Sequence, residues 1–147
     1  MMSTALIAGL HYLGAMLLMA CLLTEHMLLA PRMETGTLRK LGRIDALYGL
    51  LAMAQIGSGL GRIWLEKGSD FYLHSGLFHL KLTLFVALGL MSIYPTLRIL
   101  AWRRAAASVE ALAPAPAEYR RVLMLVRLEL TLLLLLPIVA SFMARGF

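Results

Sequence analysis

Cysteine and charge are scarce in this chain. Its 147 residues include one cysteine, Cys21, and only 15% charged side chains. A single cysteine excludes an intramolecular disulfide and a cysteine-based metal site, so we expect Cys21 to be a small packing residue. The chain also has no phosphate-binding loop, no zinc motif and no combination of nucleophile and base. These absences argue against hydrolysis or phosphoryl transfer of the kind that soluble enzymes perform.

Apolar side chains, by contrast, are abundant. They make up 61% of the chain, and the mean hydropathy is +0.80. A soluble domain of this size cannot keep such a balance on its surface, so we expect an integral membrane protein with one four-helix transmembrane domain over residues 1–147. The first apolar run has no basic leading segment and ends at Glu25 and His26 instead of a small-residue cleavage site. We therefore expect a retained helix and not a signal peptide.

Prolines, glycines and charges divide the chain into four predicted helices, at residues 4–30, 43–65, 76–102 and 118–144. Pro95 and Pro137 lie inside the last two helices, where we expect local kinks. The segment AAASVEALAPAPAEYRR joins these two helices, and its prolines predict an irregular, water-exposed connection.

The net charge of +6 is unevenly placed. Basic residues cluster in and beside the first and third connections, while the middle connection has only Lys67 and, one turn inside, Arg62. By the positive-inside rule, the first and third connections face the cytoplasm and both termini lie outside. The basic excess suits contact with anionic lipids and, because no stacked aromatics accompany it, not nucleic acid. The clustered residues are Arg32, Arg39, Lys40, Arg43, Arg98, Arg103, Arg104, Arg120 and Arg121.

Two histidines on different helices are predicted at a similar depth near the outer face. His11 lies roughly 10 Å inside the first helix and His79 roughly 5 Å inside the third. Two neutral imidazoles on facing helices with a flat apolar slot between them are what a b-type haem needs. Gly57 and Gly61 of the second helix lie at a matching depth and would leave room for the ring. Each prediction has an alternative. The glycines could serve ordinary helix packing, and the histidines could form hydrogen bonds across a helix interface.

Other polar residues lie near this predicted haem site. Lys81 either neutralises a haem propionate or extends to the interface. Arg62 is a candidate for the same role, although an exposed pair with Glu66 is the simpler account. His74 of the outer connection is the fallback ligand.

A second polar set is predicted in the inner half of the bundle. Charges at this depth are costly unless paired, so we expect a network, with Glu129 bonding Arg43 or Arg127 and locking the helices together. Such a network could also relay protons from the cytoplasm towards a redox centre. The predicted members are Glu25, His26, Arg43, Asp45, Arg127 and Glu129.

The segments GLHYLGAMLLMACLL, RKLGRIDALYGLLA, LEKGSDFYLHSGLFHLKLTLFVALGL and RLELTLLLLLPIVA resemble an uncharacterised family of small four-helix bacterial membrane proteins. They are more distantly similar to the CopD family and to HemJ, the membrane protoporphyrinogen oxidase. The HemJ likeness rests on His11, Arg43, His79-x-Lys81 and Glu129. It implies haem b, held by His11 and His79, and a bacterial inner-membrane location. The chain departs from HemJ after His11, where it reads Met-Leu-Leu-Met, and around Glu129, where it reads Leu-Glu-Leu-Thr.

Ten methionines raise the question of copper, which thioethers bind well as copper(I). They are scattered in depth, and apart from Met16 and Met19 no two of them have Met-x-x-Met spacing, which favours packing. Met16 or Met19 could still be an axial haem ligand.

Three classes of function follow. The first is a membrane haem-dependent oxidoreductase or electron-transfer protein, acting with a quinone, a porphyrinogen or a redox partner protein. The second is a non-enzymatic accessory subunit that docks a larger complex or its own copies. The third is a copper or other metal-ion permease.

Overall fold

The computed structural model describes residues 2–62 and 76–145, and they form four long helices. These are α1 (Met2–Leu28), α2 (Thr35–Arg62), α3 (Gly76–Ala105) and α4 (Pro116–Ala144). The predicted all-α fold of four helices is confirmed. The largest difference in boundaries is at α2, which begins eight residues before the predicted residue 43. Its first turns are basic and polar, and this composition hid them from a prediction based on apolar runs.

Each helix turns one stripe of apolar side chains inward. On α1 the buried stripe includes Leu18, Cys21 and Leu22, and on α4 it includes Val122 and Val126, at the spacing of three and four residues that places side chains on one helix face. Pro95 and Pro137 lie within continuous helices, as predicted. Pro116 occupies the first position of α4, where its missing N–H would have had no helical partner.

The helices pack as a closed ring. α1 packs against α2 and α4, and α3 packs against the same two helices. The connections within the pairs α1–α2 and α3–α4 are short, which makes the helices of each pair antiparallel.

A two-stranded ladder joins the two connections at one end of the bundle. Strand β1 (Met33–Glu34) pairs antiparallel with β2 (Ala111–Leu112), so Met33 faces Leu112 and Glu34 faces Ala111. The connection between α3 and α4, predicted to be irregular, therefore contains a strand and also a short 3₁₀ turn at Ala106–Ser108. The ladder places the first and third connections at the same end. Which side of the membrane this end faces stays a prediction.

Three of the helices are long and apolar enough to cross a membrane, over Ala5–Leu28, Gly76–Ser108 and Pro116–Phe142. The first half of α2 carries Arg39, Lys40, Arg43 and Asp45, which lowers its apolar character. Its second half nevertheless presents large apolar side chains on the outer surface, as the other helices do. Such a surface suits contact with lipid tails. On α2 these side chains are Leu47, Leu50, Met53, Ile56 and Leu60.

Thr35 holds the two connections together at the ladder end. Its hydroxyl lies 3.1 Å from the carbonyl oxygen of Ala106, 2.5 Å from that of Val109 and 3.2 Å from that of Glu110. Its backbone N–H also donates to the Glu110 carbonyl, at 3.0 Å.

We expect Thr35→Val to lower the free energy of unfolding by about 1 kcal/mol, because the substitution keeps the side-chain shape and removes the hydroxyl hydrogen bond. Chemical unfolding in detergent, followed by circular dichroism, measures the change. Thr37→Val is the matched control, since the Thr37 hydroxyl makes no hydrogen bond within the described residues. Equal stability of the two variants would contradict the assignment.

Candidate functional site

Three carboxyl groups lie inside the bundle, and we call them the carboxyl cluster. Glu25 of α1, Asp45 of α2 and Glu129 of α4 are exposed to only 2%, 6% and 1%. Glu25 continues the buried stripe of Leu18 and Leu22, and Glu129 follows Val126 by three residues. The acids are therefore buried because they occupy positions on the inward stripe of their helices.

The three acids are electrostatic neighbours. Glu25 interacts with both Asp45 and Glu129, and Glu129 also interacts with Asp45. Tyr48, one turn after Asp45 on α2, is 3% exposed and lies within electrostatic range of all three. Within residues 2–62 and 76–145, no three His, Cys, Asp or Glu side chains are arranged to hold a metal ion. The cluster is thus an assembly of acids and a phenol.

Hydrogen bonding within the cluster is incomplete. The Thr96 hydroxyl of α3 donates to Asp45 Oδ1 at 2.7 Å, so all four helices contribute to the site. By contrast, Glu25 Oε1, Glu129 Oε1 and the Tyr48 hydroxyl have no hydrogen-bond partner among the described residues. The Tyr48 hydroxyl lies beside the Glu129 carboxyl but outside hydrogen-bond geometry. Buried polar atoms are rarely left in this state, and when they are, a functional cause is common.

The basic residues predicted to pair with Glu129 lie elsewhere, which corrects that expectation. Arg127 is exposed, and its Nε donates to His26 Nε2 at 3.2 Å. Arg43 is exposed as well. Both arginines stand two residues from an acid of the cluster, a rotation of about 200° that points them to the opposite helix face. Within the described part of the chain, the ion pair is Arg98 with Glu118, at 2.9 Å.

The predicted polar network is therefore two separate groups. Glu25, Asp45 and Glu129 lie inside, while His26 and Arg127 form a pair at the surface. Tyr48 and Thr96 were missed by the sequence reasoning. The signal for Tyr48 was its position three residues after Asp45, on the same face of α2.

His11 lies in the half of the bundle away from the ladder, packed on α2. Its Nδ1 is 2.9 Å from the Ser58 hydroxyl, and its Nε2 is 3.3 Å from Gln55 Nε2. Gln55 Nε2 also donates to the His11 carbonyl at 3.0 Å, and the Ser58 hydroxyl donates to the Gln55 carbonyl at 3.2 Å. These donors assign the proton of the neutral ring to Nδ1 and leave Nε2 as the acceptor. Gln55 and Ser58 are partners that the sequence reasoning did not identify.

Glycines lie where α1 and α2 approach each other near His11, and one of them belongs to the predicted pair. A methyl group at Gly14 would collide with Gln55 Oε1, and one at Gly59 would lie 3.4 Å from His11 Cε1. At Gly61 it would meet Ile7 of α1 at 3.4 Å, whereas at Gly57 it would meet nothing within 4 Å. Gly61 therefore faces α1 as predicted, and Gly57 does not.

A haem iron at His11 would have to take the place of the Gln55 amide. With its proton on Nδ1, the ring directs the lone pair of Nε2 at that amide, 3.3 Å away. His79 lies on α3 with an exposed side chain, and Lys81 is half-buried. The Arg62 side chain, Glu66, Lys67 and His74 lie outside the described residues. The roles of His11, His79 and Lys81 at a haem stay a prediction.

We expect His11→Ala to lower the free energy of unfolding by about 1–3 kcal/mol, because the buried Gln55 amide and the Ser58 hydroxyl each lose a partner. Met16→Ala is the control on the same helix, since Met16 is 70% exposed. Unfolding in detergent gives both values. A His11→Ala protein as stable as Met16→Ala would show that the contacts of His11 contribute little.

An absorption spectrum of the purified, detergent-solubilised protein tests the haem prediction. If haem iron replaces the Gln55 amide at Nε2 of His11, we expect a Soret band that disappears in both His11→Ala and His79→Ala. A colourless, stable preparation would contradict the haem prediction.

Comparison with known proteins identifies the family of the chain. Residues 3–147 match the family described as "Predicted membrane protein (DUF2214)". No curated protein and no solved structure matches significantly. The relation to the CopD and HemJ families stays a prediction. A match over almost the whole length, together with the apolar four-helix bundle, assigns the chain to the DUF2214 family of predicted membrane proteins.

Proposed function

We propose that this protein handles protons within the membrane: the carboxyl cluster takes up and releases protons in support of a transport or redox step. The observation that carries the proposal is the burial of Glu25, Asp45 and Glu129 within electrostatic range of one another, with no arginine or lysine paired to them among the described residues. Acidic residues at membrane depth are typical of proton relays and ion pathways.

The chemistry of burial favours protons on the cluster. An ionised carboxylate in an apolar interior costs several kcal/mol unless a positive charge accompanies it. Neighbouring carboxylates also repel each other, so a cluster of three holds protons in preference to three negative charges. A carboxyl group that shares its surroundings with other carboxyl groups can pass a proton to them over a short distance.

Hydroxyl groups extend the cluster in two directions. Thr96 donates to Asp45 Oδ1 and therefore orients that carboxyl group. Tyr48 places a phenol beside Glu129, where it can donate or accept a proton. Glu25 lies three residues before the end of α1 at Leu28, roughly 5 Å along the helix axis from the ladder end. We infer that protons enter from this end.

A structural role is the competing account. As a non-enzymatic accessory subunit, the protein would use the cluster only to hold its helices together. Such a role predicts complete hydrogen bonding, whereas one oxygen of Glu25 and one of Glu129 have no hydrogen-bond partner among the described residues. The haem-dependent redox role and copper or other metal transport remain predictions from the sequence.

Dicyclohexylcarbodiimide, which reacts with protonated carboxyl groups in apolar surroundings, probes the state of the cluster. We expect it to label Glu25 or Glu129 in the membrane-embedded protein, and to leave the exposed Glu34 and Glu110 unlabelled. Peptide mass spectrometry locates the label. Labelling of the exposed acids alone would contradict the presence of protons on the cluster.

Glu129→Gln separates proton transfer from structure, because glutamine keeps the shape and cannot release the proton. In proteoliposomes containing a pH-sensitive dye, we expect proton movement to fall by roughly 10²-fold, the usual contribution of a group that transfers protons. Glu34→Gln, which changes an exposed acid, is the control. Loss of folding in Glu129→Gln, or unchanged proton movement in a folded Glu129→Gln protein, would support the structural role.

A further inference from the structure

The surface of α4 near the ladder end carries a shallow groove of about 290 Å³, which we call the α4 groove. Its lining residues are spaced by three and four positions, so they share one helix face and extend for roughly 16 Å along it. They are Arg120, Leu123, Met124, Arg127, Leu128 and Thr131.

The lining combines two cations with an apolar floor. Arg120 and Arg127 are exposed arginines, and no acidic residue is among the described lining residues. Met124 and Leu128 are exposed to 53% and 45%, so they offer apolar surface beside the charges. A positive end followed by an apolar track is complementary to an anionic phospholipid, which has a phosphate at one end and acyl chains at the other.

The depth of the two arginines fits a lipid headgroup. Arg127 lies inside the apolar segment Pro116–Phe142, and long helical side chains point towards the N-terminus of their helix. Its guanidinium is thereby directed towards the polar edge of the bilayer. Arg120 lies seven residues, or roughly 10 Å, closer to that edge, and its bond to the Pro116 carbonyl directs it the same way. The two cations therefore follow one another along the groove at the depth expected for lipid headgroups.

Each of the two arginines is held in place by one hydrogen bond from its Nε, and its terminal N–H groups can still donate to a ligand. Arg127 Nε donates to His26 Nε2 at 3.2 Å, and Arg120 Nε donates to the Pro116 carbonyl at 3.3 Å. The terminal nitrogens of both side chains make no hydrogen bond within the described residues. These pairs of N–H groups have the fork geometry that binds phosphate oxygens.

We propose that the α4 groove binds an anionic phospholipid, with Arg120 and Arg127 at its headgroup and an acyl chain along Leu123, Met124 and Leu128. The site is independent of the carboxyl cluster, which lies on the inward face of α4. It ties the ladder end of the bundle to the anionic lipid of one leaflet.

The test is titration of delipidated, full-length protein in detergent with phosphatidylglycerol or phosphatidylcholine, with native mass spectrometry to count bound lipid. We expect preferential retention of phosphatidylglycerol, and an affinity roughly tenfold or more weaker in Arg120→Gln/Arg127→Gln. Arg120→Lys/Arg127→Lys keeps the charge, loses the fork and should be intermediate.

The matched control is Arg39→Gln/Arg104→Gln, which removes two exposed arginines from the same end of the bundle but outside the groove. This variant should bind phosphatidylglycerol as the unmodified protein does. If both double glutamine variants lost the same affinity for phosphatidylglycerol, the loss would come from the change in overall charge, and the proposed site would be wrong. Equal retention of phosphatidylcholine and phosphatidylglycerol by the unmodified protein would overturn the choice of ligand.

Discussion

Burial of three carboxyl groups is the constraint on which the rest of this bundle depends. Glu25, Asp45 and Glu129 come from three helices and lie in an interior whose other buried polar side chains among the described residues include His11 and Gln55. Turned outward, each would enter lipid, where its charge would find neither water nor a partner. The rotation of each of these helices about its axis is therefore set jointly by its apolar stripe and its acid. α3 contributes Thr96 and closes the ring around the site.

The two halves of the bundle use polar groups differently. Near the ladder, the carboxyl cluster keeps unpartnered oxygens, while Thr35 ties the connections together outside it. In the other half, His11 is held on both ring nitrogens by α2, and glycines bring the backbones close enough for this. A polar group with all its hydrogen bonds formed makes the packing around it more rigid. A polar group that lacks hydrogen-bond partners has free positions at which it can exchange protons. This contrast is why the function is assigned to the cluster and a structural role to His11.

Errors in the predicted pairing have a common geometric origin. Arg127 and Glu129 are neighbours in the sequence and at nearly equal depth, and depth alone suggested an ion pair. Two residues along a helix reverse the face, so the arginine reaches the surface and the acid reaches the interior. The outward arginine then bonds His26 and lines the α4 groove. The haem prediction also placed His11 and His79 by depth, and it stays a prediction.

Membrane character, the number of helices and the interior position of the acids were determined by the sequence itself, because apolar composition and helical periodicity are local properties. The stripe that holds Leu22 also holds Glu25, and the one that holds Val126 also holds Glu129. Only the tertiary structure decided which partners these groups meet. Gln55 reaches His11, Thr96 reaches Asp45 and, among the described residues, no arginine pairs with Glu129. All three outcomes depend on the relative rotation and offset of different helices. These quantities arise from packing between segments far apart in the chain, and no single segment encodes them.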